Sequence, residues 1–239
     1  MQVKPIEPQI ISPNGMVEPD HEVFVNIGAA VHEQWEENNV LKWVQKVDEH
    51  IDEGSLDIMK LGMRTELTET QREAAKSPSD LYFALGLHYD DPTLLLSRFI
   101  YALELLGHRR HGFRAVRKLD DFAIQKTTQF NPAHFVSEDK LKEFHFNQCL
   151  VKVCAHLEAS YHSRLIAYFT RTHLGGTNPR MIHTPSKLII KLLERQLITT
   201  TDQNALLEAL VIVGAGKSTE YIYRYRHLNN LPEIGKELS

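Results

Sequence analysis

The segment from Gly214 to Thr219 is the part of this sequence that is most suggestive of chemistry. It reads Gly-Ala-Gly-Lys-Ser-Thr and follows the apolar run Leu210 to Val213. In a phosphate-binding loop, glycines let backbone N–H groups approach the phosphates and a lysine reaches the outer ones. The first glycine of that pattern would fall at Val211, and we expect the residues after Thr219 to be too few for the strand and acidic metal ligand that follow such a loop. A helix stop at Gly214 is therefore the preferred interpretation, and a nucleotide-binding switch that uses the Gly214–Ser218 loop is the alternative.

The sequence predicts no metal site, no cofactor and no disulfide framework. Cys149, Cys154 and His156 do not have the spacing of the usual zinc sites, and two cysteines are too few for a disulfide scaffold. We expect two buried, reduced cysteines on a helix. With no secretory signal at the start of the chain, this composition favours a reducing, cytoplasmic location.

No nucleophile has a recognisable catalytic setting. The serines lack a strand-to-helix elbow, and acidic pairs such as Asp120 with Asp121 stand where surface charge is expected. We therefore predict that the protein is not an enzyme and that it acts by binding.

Charge and hydropathy narrow the class of partner. The 27 basic and 31 acidic residues give a net charge of -4, which argues against nucleic-acid binding, although His108 to Lys118 is a locally basic stretch. Within it, Arg109 and Arg110 are candidate contacts for an acidic partner, or simply a solvated helix end. The apolar runs are shorter than the roughly 18 residues that a membrane helix requires, so no membrane partner is expected.

An internal duplication organises the chain. A constant shift of 107 places Ser77 to Gly107 over Thr184 to Gly214 with eight identities, where average composition gives about two. Each copy predicts a capped helix with proline in its first turn, a polar break and a second helix that ends at glycine. The residues expected to face inward are Leu81, Leu85, Leu95, Phe99, Leu103 and Leu106 in the first copy and Leu188, Leu192, Leu206, Leu210 and Val213 in the second.

Further helices are predicted around each copy. They are Val23 to Trp35, Val40 to Val47 and Phe113 to Phe122 in the first unit, and Phe146 to Leu157, Leu165 to Leu174 and Glu220 to Leu228 in the second. An additional helix is expected at Met59 to Leu67. The chain is thus predicted to be all-α, with a flexible leader (1–20), a first domain (21–126), a linker (127–139), a second domain (140–230) and a tail (231–239).

The second helix of each unit carries candidate binding residues. Trp43 with Val44, and Tyr168 with Phe169, belong to helices whose apolar residues cover more than one narrow face. Exposed aromatic residues are favoured interface anchors, because they bury much area with little loss of rotamer entropy. The other interpretation is that these four residues fill the core or the seam between the units.

The duplicated pattern resembles a tandem pair of death effector domains, which are six-helix members of the death-fold superfamily. The likeness is clearest at Phe146 to Leu150, Arg164 to Phe169, Lys187 to Arg195 and Ala205 to Gly214. It implies two six-helix death-fold bundles in tandem, similar to short FLICE-like inhibitory proteins or to a FADD-like adaptor.

The resemblance also implies a function. In this family an aromatic and aliphatic pair on the second helix docks into a neighbouring domain, and Trp43 with Val44 and Tyr168 with Phe169 hold those places. The family's R-x-D-L element has its nearest counterparts at Arg110 to Phe113 and Lys217 to Glu220, both without the aspartate, so filament assembly through its charge triad is not predicted. The expected function is a non-catalytic adaptor or regulator of cell-death or innate immune signalling, which binds death effector domains of an initiator caspase or its adaptor. Self-association is a further expectation.

Overall fold

The computed structural model describes residues 39–106, 130–132 and 137–232. The chain divides into two compact units, Met1–Leu41 and Lys42–Ser239, so nearly all of the described residues belong to the second unit. Every regular element in the described ranges is helical, which confirms the all-α prediction. The leader (1–20) and the helices predicted at Val23 to Trp35 and Phe113 to Phe122 lie outside the described residues.

The helices fall into two sets, called here the first half and the second half. In the first half, residues 39–48 are helical (α1), followed by α2 (Glu53–Gly62), α3 (Glu69–Ala74), α4 (Pro78–Gly86) and α5 (Pro92–Leu105). In the second half they are α6 (Glu138–His156), α7 (Ala159–Thr172), a 3-10 turn (Pro179–Ile182), α8 (Pro185–Glu194), α9 (Asn204–Val213) and α10 (Gly216–Leu228). None of the described helices is long and apolar enough to cross a bilayer.

The repeated pair begins with a hydroxyl cap in both copies. The Ser77 side chain accepts a hydrogen bond from the backbone N–H of Asp80, and the Thr184 side chain accepts one from that of Lys187. Proline follows each cap at the first helical position, where its missing N–H leaves no bond unmade. The predicted caps are therefore confirmed in both α4 and α8.

The predicted core positions and the helix stop are also confirmed. All of the residues that were expected to face inward are buried, namely Leu81, Leu85, Leu95, Phe99, Leu103, Leu106, Leu188, Leu192, Leu206, Leu210 and Val213. Helix α9 ends at Gly214, whose φ of 81° is the left-handed conformation that glycine adopts at little cost. Gly107, its partner in the first copy, lies outside the described residues.

Helix α6 is the central element of the second unit. It packs against α2 and α5 of the first half and against α8 and α10 of the second. Its buried residues surround the helix axis, as is typical of a helix enclosed by others; they are Phe144, Phe146, Asn147, Gln148, Cys149, Leu150, Val151, Val153 and Cys154. At Gly62 of α2, an added Cβ would lie 3.2 Å from Val151 Cγ2, so α2 and α6 approach closely there.

A buried polar cluster joins the two halves. The Gly62 carbonyl accepts hydrogen bonds from Arg98 Nη2 (2.9 Å) and from Gln148 Nε2 (3.2 Å). The Arg98 guanidinium pairs with the Glu66 carboxylate and stacks against aromatic rings, including that of Phe144 on α6. Both charged groups are almost inaccessible to water, so the burial of each charge is compensated by the opposite charge of the other.

Several helix boundaries differ from the sequence prediction, and α7 and α10 begin at Ala159 and Gly216 rather than at Leu165 and Glu220. The extra helix expected at Met59 to Leu67 is instead α2, because the Asp52 side chain accepts from the N–H of Ser55 and starts the helix earlier. Helix α6 begins at Glu138, inside the predicted linker (127–139). The division into two six-helix death-fold bundles stays a prediction.

Candidate functional site

Helices α7 and α9 together form an exposed apolar surface with basic edges. On α7, His162, Leu165 and Phe169 recur at helical spacing and are buried. Tyr168 is half-buried and turned away from that stripe, while Arg164 and Arg171 are exposed. The helix therefore packs one face inward and leaves an aromatic and basic face outside.

Helix α9 supplies the aliphatic part of this surface. Val211 and Ile212 are 58% and 60% exposed, although α9 also buries five residues on its inner side. A shallow groove of about 320 Å³ runs between the two helices. It is lined by Arg164, Ala167, Tyr168, Arg171, Thr172, Ile212 and Val213. We call Arg164, Tyr168, Arg171, Val211 and Ile212 the α7–α9 face.

The Tyr168 side chain links the two helices of the face. Burial, and after it the negative charge and hydrogen bond of Glu208 on α9, raises the pKa of the Tyr168 hydroxyl. The Tyr168 ring packs edge-on against Phe169, with 5.2 Å between ring centroids. The Thr172 hydroxyl donates to the Tyr168 carbonyl at 2.9 Å, a bond that closes within α7. Tyr168 is thus held at the edge of the groove with one side of its ring in contact with the core.

The structure separates the four predicted aromatic and aliphatic candidates. Val44 and Phe169 are core residues, at 1% and 0% exposure, so neither belongs to an accessible surface. Trp43 and Tyr168 are half-buried. The Trp43 ring packs edge-on against Phe99 at 6.2 Å, which places most of it within the first half. Of the four, Tyr168 alone lies on the α7–α9 face.

The remaining sequence candidates have different outcomes. Arg109 and Arg110 lie outside the described residues. Cys149 and Cys154 are buried and form no disulfide, as expected, and burial raises the pKa of Cys149 to about 12. No group of three His, Cys, Asp or Glu residues in the described ranges is arranged to hold a metal ion.

The Gly214 to Ser218 segment lacks the geometry of a phosphate-binding loop. A helix, α9, leads into Gly214, whereas a phosphate-binding loop follows a strand. Ser218 is buried, and its hydroxyl donates to the Val153 carbonyl at 3.3 Å, so it is not available to a magnesium ion. The geometry does not favour the nucleotide-switch alternative.

The residues that sequence reasoning missed are Val211 and Ile212. The signal was present, because assigning Leu206, Leu210 and Val213 to the core leaves these two β-branched residues on the opposite side of the helix. In the first copy the equivalent positions hold Glu104 and Leu105. Comparison with protein-family models, with curated proteins and with solved structures finds no match for this chain.

Proposed function

We propose that this protein is a non-catalytic, cytoplasmic adaptor or regulator in cell-death or innate immune signalling. It binds death effector domains of an initiator caspase or its adaptor through helix-to-helix contacts. The observation that carries the proposal is the α7–α9 face, where Ile212, 60% exposed, lines a groove with Tyr168 and the neighbouring Val211 on α9 is 58% exposed.

The chemistry of the face suits a protein partner. Aliphatic and aromatic side chains at its centre supply buried area on association, and Arg164 and Arg171 lie at its edge. Arginine and tyrosine are among the residues that most often dominate binding energy. A partner with an apolar centre and with acidic groups toward Arg164 and Arg171 complements this arrangement, whereas the exposed Glu208 gives the α9 side, beside Tyr168, a negative charge.

The death effector assignment rests on the resemblance of the duplicated sequence pattern. Tyr168 stands at the position on the second helix of its predicted domain where that family carries a docking residue. Two copies of one helical pair, with the same caps and the same buried positions, support descent from a doubled module.

The proposal is tested by co-elution with a purified initiator-caspase prodomain that contains death effector domains. Wild-type protein is expected to form a complex, and Ile212→Glu is expected to weaken binding about tenfold or more, since a central contact contributes roughly 1–2 kcal/mol or more. The matched control is Met181→Glu, because Met181 is 69% exposed on the 3-10 turn and does not line the groove of the face.

Two outcomes reject parts of this proposal. Absence of any complex with prodomain or adaptor removes the partner assignment. Equal loss in both glutamate variants removes the α7–α9 face as the binding site. Phe169→Asp is unsuitable as a probe, because a carboxylate in that fully buried position would unfold the domain.

A further inference from the structure

A second groove lies between α6 and α10, on different helices from the α7–α9 face. Its volume is about 370 Å³, and Tyr101 of α5 lies at its edge. Helix α6 contributes His145, Gln148, Cys149 and Lys152, and α10 contributes Tyr221, Arg224, Tyr225 and Leu228. Both sets have the spacing i, i+3, i+4, i+7, so the groove follows two helices for two turns, or about 10 Å.

The base of the groove is apolar but contains one unsatisfied polar atom. Cys149 and Tyr225 are buried there, and Gln148 is 4% exposed. Gln148 Nε2 donates to the Gly62 carbonyl, while Gln148 Oε1 has no hydrogen-bond partner among the described residues. A buried acceptor without a donor is costly, so an incoming N–H or O–H donor gains by reaching it.

The rim of the groove is basic. Lys152 and Arg224 are exposed, and neither forms an ion pair with any residue in the described ranges. The lining residues include no carboxylate, although Glu104 lies close enough to Tyr101 to influence its pKa. His145 lines the same rim, and burial followed by the charge of Lys152 lowers its pKa. An anionic partner is therefore favoured, and a cationic one is opposed.

The mouth of the groove is apolar on its α10 side. Leu228 is 73% exposed there, on a helix whose other face is packed against α6. An open, elongated groove with helical periodicity and an exposed leucine suits a helix better than a compact small molecule, which favours enclosure.

We infer that the α6–α10 groove binds an acidic amphipathic helix of a partner protein. Apolar side chains of that helix, spaced i, i+3 or i+4, and i+7, enter between Tyr221 and Leu228. Its Asp or Glu residues face Lys152 and Arg224, and a polar side chain donates to Gln148 Oε1. Since this groove and the α7–α9 face use separate helices, one chain can hold two partners at once, which goes beyond the proposed function.

The test uses a display library of 16-residue amphipathic helices with varied apolar positions and with either Glu or Lys at the flanking positions. The full chain is the bait. The expected result is enrichment of Glu-flanked sequences. The double variant Lys152→Glu and Arg224→Glu is expected to bind a fluorescently labelled selected peptide at least tenfold more weakly than wild type. Amide shift changes on adding that peptide are expected along α6 and α10.

The matched control is Lys217→Glu, an exposed charge reversal on α10 outside the groove. It is expected to leave peptide affinity unchanged, as is Ile212→Glu, so failure here is distinguishable from failure of the proposed function. The inference is overturned if no helix is enriched, if Lys-flanked helices win, or if the double variant binds as tightly as wild type. The inference is also overturned if millimolar inorganic phosphate displaces every selected peptide and the peptides cause no amide shift changes beyond those that phosphate causes. That result would mark a small-anion site.

Discussion

The two copies of the repeated helical pair start alike and differ in what they show to solvent. Ser77 and Thr184 cap their helices in the same way, and the inward positions of both copies are buried. On the outer side of the second helix, however, exposed Glu104 and half-buried Leu105 of the first copy are replaced by exposed Val211 and Ile212. The second copy therefore presents an apolar surface where the first does not, which is what the proposed binding at the α7–α9 face requires.

The copies also differ in where their polar contacts come from. In the first copy, Asp48 of the same half accepts hydrogen bonds from the Ser79 backbone N–H (2.9 Å) and hydroxyl (2.7 Å). In the second, the Thr184 hydroxyl donates to Asp57 of the other half at 3.2 Å. Lys187 donates to Glu53 on the same helix as Asp57. The start of the second copy is thus bonded to the first half, whereas the start of the first copy is bonded within its own half.

The largest expected difference in stability between variants of the two copies concerns the buried Arg98. Arg98→Met leaves the Glu66 carboxylate buried without its partner, and we expect a loss of about 3–5 kcal/mol of unfolding free energy. Ala205, the equivalent residue in the second copy, is half-buried, and Ala205→Met is expected to change stability by no more than about 0.5 kcal/mol. Urea denaturation followed by circular dichroism measures both. Adding Glu66→Met to Arg98→Met should restore part of the loss, and no restoration would show that the ion pair is not its cause.

The helix stop of the second copy is the next largest effect. Gly214→Ala places a Cβ in the left-handed conformation and is expected to destabilise by about 1–2 kcal/mol. Gly86, at the end of α4, has no positive φ, and an added Cβ would make an ordinary contact with Leu95 at 3.6 Å. Gly86→Ala is therefore expected to be neutral or to stabilise by up to about 1 kcal/mol. Gly214→Ala should lower the temperature of thermal unfolding, whereas Gly86→Ala should leave it unchanged or raise it, and equal losses would contradict the assignment.

Removing the helix caps compares contacts within one half with contacts between the halves. Ser77→Ala removes one cap and should cost about 1 kcal/mol. Thr184→Ala removes a cap and the bond to Asp57, so we expect a larger loss, by roughly 0.5–1 kcal/mol. A double-mutant cycle of Thr184→Ala with Asp57→Asn measures that coupling. A coupling of zero would mean that the cross-half bond contributes nothing.

The smallest expected effect is a pH dependence of stability that comes from His162 on α7, next to the start of the second copy. Burial lowers the pKa of His162, which lies beside the backbone of Ile182 and Thr184. Because the folded-state pKa lies below the unfolded value of about 6.5, the unfolded state binds the proton first. Stability is therefore full above about pH 6.5 and falls as the pH drops from there toward the folded pKa. His162→Gln should flatten the decline in melting temperature between pH 7.5 and 5, and an unchanged decline would exclude His162 as its source.

The parts of the fold that depend on local chemistry could be predicted from sequence. A hydroxyl cap before proline, apolar residues at helical spacing and a glycine after the last turn specified α4, α8 and the end of α9. The start of α2 was missed because Asp52 was not recognised as a cap. Periodicity also failed to separate buried Phe169 from half-exposed Tyr168. The two residues are adjacent, and either could lie on the buried or on the exposed side of α7.

The remaining features depend on contacts between distant residues. Arg98 binds Glu66 and Gly62, which are 32 and 36 residues earlier, and stacks against Phe130 and Phe144; nothing near residue 98 in the sequence indicates these distant partners. The groove between α6 and α10 arises because residues far apart in the sequence pack together, as in the bond from Cys149 Sγ to the carbonyl of Tyr221, 72 residues later. The death effector resemblance and its partner stay predictions.

The most direct measurement of the central claim is a calorimetric titration of the prodomain into two exchange variants. Val211→Glu gives the second copy the residue of the first, and Glu104→Val does the reverse. We expect Val211→Glu to weaken binding about tenfold or more, and Glu104→Val to leave it within about twofold of wild type. Wild-type affinity in Val211→Glu, with unfolding temperatures unchanged in both variants, would contradict the assignment of binding to the α7–α9 face.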